Sequence, residues 1–122
     1  MGTIFTDAGE GFIADLVDGG SSKPANYYIG WGTGSTPAAK GDAVIEGESP
    51  HESRASATLS QPSADTNRFV GTIQCATSGK TIANAGVLTA SANGALVIHG
   101  DFTGIALNVG DSIQFTYELT YS

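Results

Sequence analysis

A chain of 122 residues has material for one hydrophobic core, or one core with a short appendage, and none for a multidomain enzyme. Five basic against twelve acidic residues give a formal charge of -7, a field that repels phosphate, so no direct nucleic acid binding is expected. Only 14% of residues are charged while 17 are glycine, and Ser and Thr are abundant, which favours strands and tight turns over long surface helices.

Asp7 to Val17 carries the best helical pattern. Asp7 and Glu10 have capping-box spacing, Phe12, Ile13, Leu16 and Val17 form one apolar stripe, and Gly19-Gly20 supplies a stop. A helix this short is marginal alone, so the stripe needs a partner: the side or end of a sheet, or a neighbouring subunit. Residues 1–25 therefore read as an N-terminal helical segment with its connection, and residues 26–122 as a β domain.

Tyr27 to Trp31 reads as a strand with Tyr27, Ile29 and Trp31 on one face and Tyr28 on the other. Gly32 to Pro50 is rich in Gly and Pro and reads as a long loop, with a short strand at Ala43 to Ile45; a loop of this length points to a contact surface. Arg54 to Ser60 and Arg68 to Ala76 alternate as two strands joined through Pro62 and Asp65-Thr66-Asn67. Ile82 to Thr89 and Leu96 to Phe102 flank Asn93-Gly94, a strong hairpin signal. Ile105 to Asn108 is a short extended piece, and Ile113, Phe115, Tyr117, Leu119 and Tyr121 alternate cleanly through the last strand. Such short strands, with little room for crossover helices, predict an all-β, antiparallel two-sheet sandwich, jelly-roll-like, with one short N-terminal helix. An immunoglobulin-like sandwich is the alternative, because patterning does not order the strands.

The residues carry little chemistry. Gly30-Trp31-Gly32-Thr33-Gly34-Ser35-Thr36 lacks the Lys of a phosphate-binding loop and runs into Pro37, so it reads as a flexible turn or contact loop. Asp42, Glu46, Glu48 and Glu52 concentrate negative charge around His51 without calcium-loop spacing, and read as a solvated acidic loop that Arg54 pins to the next strand. Cys75, the single cysteine, reads as a buried apolar thiol, and zinc spacing is absent. His99 and Asp101 share a strand face as a partly exposed structural pair; nothing in the spacing gathers them with Cys75 or His51 into a nucleophile and base. No catalytic residue, metal or cofactor is therefore expected. No stretch is long and apolar enough to span a bilayer, and the amino terminus lacks a signal pattern, so no membrane association and synthesis in the cytoplasm are expected.

Tyr28-Ile29-Gly30-Trp31-Gly32-Thr33-Gly34, the Asp42 region, Glu52-Ser53-Arg54 and Phe69-Val70-Gly71-Thr72-Ile73 follow one another in the chain. Ile82-Ala83-Asn84-Ala85-Gly86-Val87-Leu88, Gly100-Asp101-Phe102 and Leu107-Asn108-Val109-Gly110-Asp111-Ser112-Ile113-Gln114-Phe115 continue the series. In that order, over about three quarters of the chain, the sequence resembles small structural proteins of tailed bacteriophages. Similar proteins often carry an acidic residue at the position of Asn84 and a basic one at that of His99, so a charged pair is absent from this chain.

The resemblance implies a virion component rather than an enzyme. The preferred expectation is a capsid decoration, or cement, protein that binds the major capsid protein on the outer surface of the head as a homo-oligomer, a trimer being favoured by the local threefold positions of a capsid. The interface candidates are Phe12, Ile13, Leu16 and Val17 on the helix, Tyr28, Trp31 and Thr33 on the aromatic strand and its turn, and Asp42, Glu46, Glu52 and Arg54 around the acidic loop. The alternative is a tail or host-attachment module that binds a bacterial surface glycan through exposed aromatic and amide side chains.

Overall fold

A computed structural model describes residues 2–20 and 22–121. The elements are β1 (Gly2–Phe5), α1 (Asp7–Asp18), β2 (Tyr28–Gly32), β3 (Ala55–Ser56), β4 (Thr58–Ser63), β5 (Thr66–Gln74), β6 (Lys80–Leu88), β7 (Leu96–Leu107) and β8 (Ser112–Thr120). They form two antiparallel sheets, one of five strands in the order β1-β7-β6-β2-β3 and one of three in the order β4-β5-β8. The chain is thus mostly β with one short helix.

The patterning explains the elements. Ile29 and Trp31 of β2 and Tyr27 just before it are buried side chains, and Phe115, Tyr117 and Leu119 are buried by alternation on β8. Together with Phe69 and Ile73 of β5, Ile82, Ala85 and Val87 of β6 and Val97 and Ile98 of β7, they form one apolar cluster fed by both sheets. Tyr27 meets Phe69 edge-on at 5.3 Å between ring centroids, and Trp31 meets Phe115 edge-on at 6.3 Å, the geometry that the ring quadrupole favours. Burial pushes the Tyr117 hydroxyl well above its ordinary pKa, so the phenol stays neutral in this core.

Several boundaries differ from the sequence reading. The amino-terminal residues form β1, whose Gly2 to Phe5 ladder with Asp101 to Ile98 makes it an edge strand of the larger sheet. Thr6, not Asp7, caps α1: its hydroxyl accepts from the Gly9 amide at 2.9 Å and donates to the Leu96 carbonyl, which ties the helix start to β7. Gly9 then lies so close to β7 that a β-carbon there would stand 2.4 Å from the Val97 carbonyl oxygen. Gly19 ends the helix in the left-handed region at φ 81°.

The strand expected at Arg54 to Ser60 is two, because the chain leaves the larger sheet at Ala57 and enters the smaller one at Thr58. Ala57 still donates to the Tyr27 carbonyl at 2.7 Å. Ile105 belongs to β7, which runs through a register shift opposite Ile82 and Asn84 rather than stopping at Phe102. Asn93 and Gly94, both with positive φ, form the hairpin turn between β6 and β7 as the sequence indicates.

Candidate functional site

The segment from Thr33 to Arg54 holds most of the candidate residues, and it is not a free loop. It returns along β2: the Thr33 amide donates to the Gly47 carbonyl at 3.2 Å, the Gly34 amide to the Glu46 carbonyl at 3.0 Å, and the Ser49 amide to the Trp31 carbonyl at 3.4 Å. The alternating glycines make this approach possible. A β-carbon would stand 2.8 Å from the Glu48 carboxylate at Gly30, 2.2 Å from the Glu46 carbonyl oxygen at Gly32, and 2.1 Å from the Glu46 side chain at Gly34. The motif that reads as a flexible turn is a bare strand face on which the returning segment lies flat. The expected strand at Ala43 to Ile45 is absent; Ile45 is instead buried with Leu88 and Leu96 in a second small cluster.

Side chains then tie the segment down along its length. Asn84 on β6 is fully buried, and its amide nitrogen donates to the carbonyls of Gly34 and Glu46, each at 2.9 Å. Its amide oxygen faces His99 Nε2 at 2.9 Å, and His99 Nδ1 lies 2.7 Å from the Asp42 carboxylate. The Ala39 amide, joined by His99 and opposed by partial burial, holds the Asp42 carboxyl below its ordinary pKa. Asp101 takes the Ala38 amide at 3.0 Å and the Gly2 amide at 3.1 Å. His99 is thus a buried partner of Asp42 and Asn84, and the partly exposed pairing with Asp101 does not form.

Two buried charges complete the strap. Arg54, 9% exposed at its side chain, makes a two-pronged bond to Glu48 at 2.7 and 2.9 Å. It also donates to the Ala90 and Asn93 carbonyls of the β6–β7 turn, each at 2.8 Å. The Glu52 side chain is 2% exposed and receives Lys80 Nζ at 2.6 Å, the Ala76 amide at 3.0 Å and Trp31 Nε1 at 3.2 Å. Burial raises the Glu52 carboxyl, but the bonds from Lys80, Ser49, Ala76 and Trp31 outweigh it and bring the group to about 2. The solvated acidic loop expected from composition is, at Asp42, Glu48 and Glu52, a set of internal anchors.

The interface candidates therefore divide. Trp31, Glu52 and Arg54 are consumed inside the protein; Asp42 is half-buried on His99, and Tyr28 is half-buried on the outer face of β2. Thr33 and Glu46 are exposed along the strap. Phe12 packs edge-on against Tyr27 at 6.2 Å, so the helix stripe is covered from within the chain at that end. Ile13 and Leu16 are half-covered, and Val17 is 86% exposed. Between α1 and the two sheets lies a groove of about 440 Å³, walled by Ile13, Leu16, Leu59, Phe69 and Leu119, with Lys23 and Tyr121 also lining it. The sequence reading missed this groove; its nearest signal was the apolar stripe of Phe12, Ile13, Leu16 and Val17, which needs a partner.

Among the described residues, neither His99 nor Cys75 stands in a nucleophile and base pair. Both ring nitrogens of His99 are engaged by Asp42 and Asn84, and the buried Cys75 thiol is turned to the Ser78 carbonyl at 3.1 Å. Among the described residues, no three His, Cys, Asp or Glu side chains gather to hold a metal ion, and no helix is long and apolar enough to cross a membrane. Neither a protein-family model nor a curated protein sequence matches the chain.

Proposed function

We propose that the protein is a non-enzymatic structural component of a tailed-phage virion, a decoration protein that binds the major capsid protein on the outside of the head and stabilises the shell. In this reading the two sheets form a jelly-roll-like sandwich, and the strapped segment from Thr33 to Arg54 is a preshaped contact surface. The observation that carries it is the strap itself. A segment of that length, bonded through Asn84, His99, Arg54, Glu52 and Asp101, keeps one shape without a partner, so little ordering entropy is lost on docking. The resemblance to phage structural proteins adds to this, because Gly30 to Gly34, Glu52 to Arg54, Asn84 and Asp101 all lie in the resembling stretches and all build the strap.

Electron microscopy of the source particle, with density assigned to this chain, tests the reading. Many copies on the outer face of the head are expected. Heads that lack the protein should keep their shape and lose DNA at a lower temperature than complete ones, and at low ionic strengths that complete ones still withstand. A few copies at the tail together with glycan binding overturn the reading in favour of an attachment module, and unchanged head resistance overturns the cementing role.

A further inference from the structure

Lys23 lines the groove, Val17 and Asp18 end the helix that walls it, and all three side chains are exposed, Asp18 and Lys23 with no charged partner among the described residues. Val17 has the highest exposure of any large apolar residue described, and Leu59 and Tyr121, each 38% exposed, belong to the groove lining. Of the five basic residues, Lys40, Arg54, Arg68 and Lys80 each pair with a carboxylate, whereas Lys23 has no carboxylate partner among the described residues. The last turns of α1 hold Asp15 and Asp18 and no basic residue in the final turn, so negative charge sits at the negative end of the helix dipole. The chain thus carries an apolar socket with a cation at its wall and, at the end of the helix that flanks it, an exposed apolar knob followed by an anion, neither charge paired among the described residues.

We propose that the occupant of the groove is a second copy of this chain, with Val17 of one copy seated between α1 and the sheets of the next and Asp18 paired with the Lys23 it meets there. The chemistry of the knob matches that of the socket: an aliphatic side chain against Ile13, Leu16 and Leu59, and a carboxylate against the Lys23 ammonium group, which has no carboxylate partner among the described residues. The same contact relieves the anionic end of the helix and covers the part of the stripe that Tyr27 leaves bare. It closes as a symmetric dimer or repeats head to tail around a small ring. The inference does not rest on the virion role, because it concerns the purified chain alone.

Sedimentation equilibrium and light scattering on the full chain test it, with Val17→Asp, Asp18→Lys, Lys23→Glu and the double variant Asp18→Lys/Lys23→Glu. Wild type should form a closed multimer. Val17→Asp should weaken association about tenfold or more, as loss of a buried apolar anchor does. Each charge reversal should weaken it by itself, and the double variant should restore it. All three side chains are exposed, so circular dichroism should report an unchanged fold in every variant. A wild type that stays monomeric overturns the proposal, as does a multimer that ignores Val17→Asp or a double variant no stronger than the single ones. Uptake of dodecanoate by a monomer assigns the groove to a small anionic amphiphile and likewise overturns it.

Discussion

Asn84 sets the orientation of His99. With its amide nitrogen given to the Gly34 and Glu46 carbonyls, Asn84 has only its oxygen left for the ring, 2.9 Å from Nε2. Nε2 must therefore carry hydrogen, and the Asp42 carboxylate 2.7 Å from Nδ1 is a second acceptor. β6, β7 and the strapped segment meet in this one network.

Replacing Asn84 by Ala leaves two backbone carbonyls and one ring nitrogen without their partner in a buried site. The expected loss is about 2–4 kcal/mol, more than one hydrogen bond contributes, because several groups are orphaned together. Urea denaturation at neutral pH measures it. A loss below about 1 kcal/mol would show that water replaces the amide and that the segment is held elsewhere.

Glu52 makes stability depend on acid. Its pKa falls from 4.5 to about 2 on folding, so below 4.5 the unfolded chain binds the proton first. Its contribution is complete above pH 4.5 and is lost as the pH falls toward 2, about 3 kcal/mol in all. Asp42, also lowered, acts with the same sign below the ordinary aspartate range. Denaturation midpoints at pH 7 and near pH 3 should therefore diverge for wild type and diverge less for Glu52→Gln, which is already weakened at pH 7 because Lys80 loses its buried counter-charge. An acid dependence unaltered in Glu52→Gln would place the titrating group elsewhere.

Gly32→Ala tests the bare strand face. Its β-carbon would stand 2.2 Å from the Glu46 carbonyl oxygen, a backbone atom that moves only if the returning segment lifts. The expected cost is about 1–3 kcal/mol. Hydrogen exchange at the Thr33 and Gly34 amides should quicken while β5 and β8 stay protected. Gly41→Ala, where a β-carbon meets nothing within 4 Å, is the control.

Arg54→Lys keeps the charge and loses the fork. A lysine cannot bond both Glu48 oxygens and still reach the Ala90 and Asn93 carbonyls. The expected loss is about 1–3 kcal/mol, with faster exchange confined to the Ala43 to Ser53 stretch and the turn at Asn93. Uniformly faster exchange would instead mean that Arg54 supports the whole core.

What the sequence disclosed followed from short-range rules. Alternation gave β5, β6 and β8 within one or two residues at most ends, and Asn93-Gly94 placed the hairpin, because both signals depend only on neighbours in the chain. β1 was missed because four residues paired to a strand far along the chain carry no period of their own. The strap was missed for a related reason. Gly30, Gly32 and Gly34 also occur at a spacing of two, but the absence of side chains reads as looseness until the segment that lies against them is known. Likewise Asp42, Glu48 and Glu52 read as solvated charge because their partners, His99, Arg54 and Lys80, are set by tertiary packing and not by spacing.

The ladder that joins Gly2 to Asp101 links positions 99 apart in sequence, and β5 waits for β8, with Arg68 and Glu118 50 apart. On a ribosome the first strand therefore emerges long before its mate, and the smaller sheet stays incomplete until the closing stretch is made. Such long-range connectivity favours slow folding, because loop-closure entropy is lost before the distant strands pair.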